Sequence, residues 1–254
     1  MINGIVFQAA FQRTLMNIRR RPVILFLSFL QPLIWMTFFG FLFQRFPINP
    51  AQGSTMQYID FLLPGICGMT VLLGSSQSGI SLIRDSQSGF LERTMITALD
   101  LHAFLLGKIT ADLSRLIVQA FVVTLLGITL GAVVSVGLST FFSFLFFILF
   151  GLSYSLLSCC IALKTDSQEA LSAFIHLVNM PIFFTSTALV PLRAMPSWME
   201  QIAVWNPLTL AVTPVRGAML SQSSWWNGQA FLALSSMAIL LYTLAWKSLN
   251  VRRI

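Results

Sequence analysis

The sequence predicts an all-α integral membrane protein with six transmembrane helices, and three observations carry that prediction. Only 9% of its 254 residues are charged while 56% are hydrophobic, and the mean hydropathy is +0.82. A soluble domain carries about 25% charged residues, and a fold this apolar could not be covered with so few. The apolar residues gather in six runs of 18 to 26 residues. A ~30 Å hydrocarbon core needs about 20 residues of helix, and a membrane barrel would instead need alternating segments of ~10 residues. The basic residues, finally, favour alternate connecting segments, as orientation in a membrane demands.

The whole chain reads as one transmembrane domain: residues 1–22 before the spans, 23–246 holding them, and 247–254 as a tail. In the first segment Phe7, Phe11, Leu15 and Ile18 recur at spacings of four, four and three, with Gln8, Gln12, Arg13 and Asn17 off that stripe. This is the pattern of an amphipathic helix lying on the inner membrane surface. Arg19, Arg20 and Arg21 then precede the first span, Val23–Phe43. Its 21 apolar residues are too many for a signal-peptide core and no small-residue cleavage site follows, so it reads as a span and not as a cleaved leader. The other spans are Phe61–Ile83, Leu116–Val136, Leu138–Leu163, Leu171–Pro191 and Gln229–Trp246. Only a turn at Val136-Gly137-Leu138 parts the third from the fourth.

With the N-terminus inside, the inner segments hold twelve Lys and Arg residues, and the outer ones hold three: Arg45, Arg193 and Arg216. That asymmetry places both termini in the cytoplasm, and the membrane expected is the bacterial inner membrane. It also accounts for the net charge of +7, so no nucleic-acid partner is expected. Cys67, Cys159 and Cys160 fall inside apolar runs and read as packing residues.

Two connecting segments are unusual. "GFLERTMITALDLHAFLLGK", Gly89 to Lys108, holds Glu92, Arg93, Asp100 and Lys108 besides His102. Leu91, Met95, Ala98 and Leu99 fall at i, i+4, i+7 and i+8, with Glu92 and Arg93 pointing elsewhere. This predicts a short cytoplasmic amphipathic helix between the second and third spans. The residues alone leave it as either a docking element or a solvated loop helix. The outer segment Leu192–Gly228 holds Trp198, Trp205, Trp225 and Trp226 with Pro196, Pro207 and Pro214. It fits Pro-broken helices dipping into the outer leaflet or an ordered loop resting on the bilayer.

Several chemistries are excluded. The only Gly-Lys pair, Gly107-Lys108, has His102 where a P-loop needs its first Gly and Ile109 where it needs Ser or Thr. No zinc-site spacing occurs, and no carboxylate pair sits within a span. As drawn, the six spans hold no Asp, Glu, Lys or Arg, whereas ion-driven transporters usually keep ionisable groups in the membrane. This points to an energy source outside the chain. Clustered nucleophile, base or metal ligands for a lipid-modifying enzyme are also missing.

Three stretches together resemble the membrane (permease) subunit of type-2 ATP-binding-cassette (ABC) exporters. "YIDFLLPGI", Tyr58 to Ile66, is similar to that family's start of the second span. "FLERTMITALDLHAFLLGK", Phe90 to Lys108, resembles its E-R-G-T-L segment followed by L-G-K, with Ala98 where the family often has Pro. "WNPLTLAVTPVRGAML", Trp205 to Leu220, resembles its N-P-hydrophobic segment with a downstream Arg.

The resemblance implies a homodimer of this chain around a central path. Each copy rests on a P-loop ATPase subunit that binds ATP and magnesium, so this chain carries no cofactor and no ATPase site. It implies that Leu91, Glu92, Arg93, Met95 and Leu99 couple to the ATPase, and that the second and fifth spans line the path. In the fifth span Ser172, His176, Asn179 and Ser186 share a helix face with Phe183, and the second span carries Ser75-Ser76-Gln77-Ser78. Gln77, His176, Asn179 and Phe183 are therefore the candidate path residues. The expected cargo is a lipophilic small molecule or drug, with a glycan or lipid-linked compound as the other family option. A secondary transporter or channel without an ATPase is the competing reading.

Overall fold

The computed structural model describes residues 4–20, 22–43, 57–90, 100–165, 167–222 and 224–251. These residues hold nine α-helices and one short 3-10 turn (Leu192–Ala194), with no strand among them. We number them α1 (Gly4–Arg19), α2 (Pro22–Leu42), α3 (Tyr58–Gln87), α4 (Leu101–Thr129) and α5 (Leu138–Thr165). α6 (Gln168–Phe184), α7 (Ser197–Trp205), α8 (Pro207–Met219) and α9 (Gly228–Val251) follow.

Five of them, α2, α3, α4, α5 and α9, are long and apolar enough to cross a membrane. α6, at 17 residues, is a little short of a full span. The expected fifth span, Leu171–Pro191, is thus cut at Phe184. Ser186 and Thr187 follow as a buried turn, in which the Ser186 hydroxyl donates to the Phe183 carbonyl and accepts from Ala188 N–H.

The third span needs a larger correction. Expected over Leu116–Val136, the helix runs over Leu101–Thr129. It starts where the Asp100 carboxylate accepts from the N–H groups of His102 and Ala103. It stops at Gly131, whose φ of +99° suits glycine. There Ala132 N–H reaches Gly127 O and Gly131 N–H reaches Ile128 O, which is Schellman geometry. Residues 132–137 are not helical, and Ser135 N–H instead meets the Met219 carbonyl at the end of α8.

α3 is the central helix, with 21 of its 30 residues buried. Apolar packing around it divides into two clusters. One joins Leu62, Leu63 and Ile66 to Phe146, Phe147 and Val212. The other joins Ile83, Leu105, Ile109, Cys159 and Leu171 to Leu249 and reaches Val6 and Ala10 of α1. A polar layer separates the two. Ser158 Oγ donates to Ser76 O at 2.6 Å and accepts from Gly79 N–H at 3.0 Å. A Cβ at Gly79 would collide with the Ser158 carbonyl, so the close approach of α3 to α5 requires glycine there. All three cysteines are buried and free, in keeping with packing roles.

α1 folds back along α4. The stripe Phe7, Phe11, Leu15, Ile18 is not its protein face alone, because the fully buried positions are Val6 and Ala10. They meet α4 at Gly107, where a Cβ would stand 2.5 Å from the Phe7 carbonyl oxygen. Ile5, Leu15 and Met16 stay exposed and form the face turned away from the bundle.

Candidate functional site

One end of the bundle gathers α1, the C-terminal ends of α3, α5 and α9, and the N-terminal ends of α4 and α6. The contacts fix this arrangement. Arg13 of α1 makes a two-pronged bond to Asp85 of α3, at 2.7 and 3.1 Å, and its guanidinium lies 3.6 Å over the Phe90 ring. Arg84 Nε reaches Gln168 Oε1 of α6, and His102 of α4 stacks on Trp246 and bonds to Tyr242 of α9. Of the described basic residues only Arg193 and Arg216 lie at the other end.

Phe90 and Asp100, the described residues that border positions 91–99 in the sequence, both lie at this end. The expected coupling residues Leu91, Glu92, Arg93, Met95 and Leu99 fall in that stretch, outside the described residues. What frames them is described: the Arg13–Asp85–Phe90 clamp on one side and the Asp100 helix start on the other.

A cleft of about 620 Å³ opens between α1, α2, α3 and α4 beside this clamp. Gln77, exposed on α3, lines it together with Arg84 and, from α4, Lys108, Asp112, Arg115 and Gln119. The four α4 residues are spaced four, three and four apart, so they form one polar stripe. This overturns the expectation of charge-free spans. Lys108 is only 2% exposed; its Nζ donates to Ser78 O at 2.9 Å and to Asp112 Oδ2 at 3.1 Å. Ser78 Oγ also donates to that Asp112 oxygen. The ion pair, one helical turn apart and braced by the carbonyl and hydroxyl of Ser78, is how α4 carries charge inside the bundle.

Gln119 plays a different part. Pro32 of α2 has no N–H, so the Ser28 carbonyl loses its helical partner. Gln119 Nε2 takes that place at 2.8 Å and ties α4 to α2.

The other expected path residues lie apart from the cleft. Asn179 is 4% exposed; it donates to Ser76 Oγ and accepts from the Tyr154 hydroxyl at 2.7 Å. Phe183 is buried and meets Trp35 of α2 edge-on at 5.7 Å between ring centroids. His176 is exposed on α6. Within one chain, then, the four do not converge on a single cavity.

At the opposite end the Asn-Pro segment explains itself. Asn206 caps α8 by accepting from Leu208 N–H, while its Nδ2 donates to Ile182 O and Thr185 Oγ1. Pro207 takes the first helical position, where its missing N–H costs nothing. Arg216, 8% exposed, donates to Phe61 O at 3.1 Å and to Thr187 O at 2.7 Å and lies over the Phe61 ring. α8 is thus a buried strut inside the bundle. Asp60 completes this end by capping Gln57 N–H and accepting from Val133 N–H.

Sequence reasoning missed Arg13, Asp85, Asp112, Arg115 and Gln119 as site residues. The spacing of four, three and four on α4 was the available signal, hidden because Lys108, Asp112 and Arg115 fell before the expected start of the third span and Gln119 after it.

The described residues thus form an all-α bundle, with five helices long and apolar enough to cross a membrane and α1 folded onto its charged end. Comparison with known proteins narrows this. A family model described as ABC-2 type transporter matches residues 5–220. The chain is 35% identical over 229 residues to a transport permease, ycf38, of Cyanophora paradoxa, covering 90% of this chain and 78% of that one. It is 28% identical over 231 residues to the daunorubicin resistance ABC transporter permease protein DrrB1 of Streptomyces coeruleorubidus, covering 91% and 80%. The chain belongs to the ABC-2 type transporter family, as a type-2 ABC permease subunit.

Proposed function

We propose that this chain forms the membrane half of an ATP-driven exporter. Two copies build the path and two copies of a separate P-loop ATPase, holding ATP and magnesium, drive it. The charged end then faces the cytoplasm of the inner membrane, with both termini on that side, as the twelve-to-three distribution of Lys and Arg favours. One observation supports coupling at this end above others. The described residues on either side of positions 91–99 are both tied to the bundle, Phe90 under the Arg13 guanidinium that binds Asp85 and Asp100 as the cap of α4. Force applied to Leu91, Glu92, Arg93, Met95 and Leu99 would therefore pass into α1, α3 and α4 together.

Gln77 and His176, whose side chains are exposed, act as direct path contacts. Asn179 and Phe183 hold bonds and packing to Ser76, Tyr154 and Trp35 that must exchange as α3 and α6 part. The cargo is a lipophilic small molecule, in line with the drug-resistance permeases among the relatives. Buried charge on α4 removes the composition argument against an ion-driven transporter, so the test must separate the two. Co-expression with the P-loop ATPase expected in the neighbouring reading frame should give a co-purifying complex whose hydrolysis needs both chains. An ATPase that never co-purifies, under conditions where both fold, would refute the proposal.

A further inference from the structure

The cleft between α1, α2, α3 and α4 carries an excess of positive charge. Four of its lining residues are basic, Arg13, Arg84, Lys108 and Arg115, and two are acidic, Asp85 and Asp112. Asp85 is taken by Arg13 and Asp112 by Lys108. Arg84 reaches only the neutral Gln168 amide, and Arg115 only the Gly74 carbonyl, so two positive charges lack an ion-pair partner among the described residues. Arg115 Nε is buried with no hydrogen-bond partner among the described residues. Unpaired buried donors on a guanidinium are costly, and the planar fork suits an oxyanion.

Depth and walls narrow the ligand. Arg115 is the fifteenth of the 29 residues of α4, ~21 Å along the helix from Leu101 at 1.5 Å per residue. A soluble anion would have to leave water for a site that far into the bundle. Leu25 and Leu27 of α2 and Leu73 and Ile80 of α3 supply apolar wall beside the polar stripe, and Phe26, Leu27 and Leu30 of α2 are exposed to the surroundings of the bundle.

We infer that this cleft binds the acidic head group of an amphiphile, a phosphate or carboxylate on an apolar tail, with Arg115 as its principal contact. The inference deepens the exporter reading by naming the charge and form of what enters from the inner leaflet. Binding does not need the ATPase, so it can be measured separately from export.

The purified full-length chain in neutral detergent is titrated with dodecyl phosphate and, as a same-tail comparator, dodecyltrimethylammonium, with bound molecules counted by native mass spectrometry. Dodecyl phosphate should bind and the cation should not. Arg115→Gln should weaken binding about tenfold or more, the loss of one charge-assisted contact, and Arg115→Lys should fall between. Gln31→Glu, on an exposed cleft-lining position of α2, should also weaken it by repulsion and disturbs no buried bond. That variant keeps the test alive if Arg115→Gln fails to fold. Competition by phosphatidylglycerol identifies a bilayer lipid as the source. Its failure to compete while dodecyl phosphate binds identifies a free acidic amphiphile instead. Equal affinity in wild type, Arg115→Gln and Gln31→Glu overturns the inference, leaving Arg115 as a strut to Gly74. Displacement by inorganic phosphate at the same concentration overturns the requirement for a tail.

Discussion

Replacing Lys108 by methionine should destabilise the protein by about 3–5 kcal/mol, the usual result of stranding one member of a buried ion pair. Methionine keeps most of the apolar stem, so the change isolates the ammonium. What it leaves behind is the Asp112 carboxylate, 7% exposed, with the Ser78 hydroxyl as its remaining donor. The Ser78 carbonyl loses its Nζ partner as well. Arg115 lies one turn further along α4 and can swing toward Asp112, which places the expected cost at the lower end of that range. The double variant Lys108→Met/Asp112→Leu removes both charges and should return to within about 1 kcal/mol of wild type, because apolar packing replaces the pair. Thermal unfolding in detergent reads the difference. At ~2–4 °C per kcal/mol for a chain of this size, the single variant should lose about 6–20 °C and the double only a few degrees. A single variant as stable as wild type, or a double variant that loses at least as much as the single, would refute the reasoning.

Other consequences are as definite. Gly107→Ala should push α1 off α4, since its Cβ meets the Phe7 carbonyl, and hydrogen exchange over residues 4–19 should accelerate. Arg13→Asp should weaken the link to α3 by about 1 kcal/mol, as a partly exposed pair allows, and Arg13→Asp/Asp85→Arg should recover part of it in a double-mutant cycle. Glu92→Ala should leave insertion intact yet cut transport at equal expression; transport matching wild type would make Glu92 a mere surface charge. In a cysteine-free background, Ser221→Cys should label from outside intact cells and Ser88→Cys should not, which checks the orientation.

How far the sequence reveals this molecule depends on which physical signal each element carries. Hydropathy located four of the five long helices, α2, α3, α5 and α9, because their apolar runs are about as long as a membrane core is thick. It misplaced α4 because Lys108, Asp112 and Arg115 interrupt the run, and the window cannot see that the first two neutralise each other one turn apart. The apolar residues before them, Leu101, Phe104 and Leu105, are buried within the bundle. Asn206-Pro207 and Arg216 stood out in the sequence only as a segment resembling the family's N-P-hydrophobic stretch with a downstream Arg; the cap at Asn206 and the inward course of Arg216 to the Phe61 and Thr187 carbonyls belong to the folded chain. Asn179 was expected on one polar face with Ser172, His176 and Ser186, but it is buried in line with Leu171, Ile175 and Phe183, while His176 is exposed and Ser186 lies beyond the end of α6. Ser76 and Tyr154, the partners of Asn179, come from two other helices, so only the assembled bundle shows that its bonds are already made.

The central claim is that an ATPase bound through residues 91–99 powers export through this chain. Proteoliposomes containing the chain, with and without the P-loop ATPase, test it by following a lipophilic dye substrate after addition of ATP or of an imposed proton or sodium gradient. The account predicts dye movement only when both proteins and hydrolysable ATP are present, with no response to either gradient. Movement driven by an ion gradient in liposomes that lack the ATPase would contradict it.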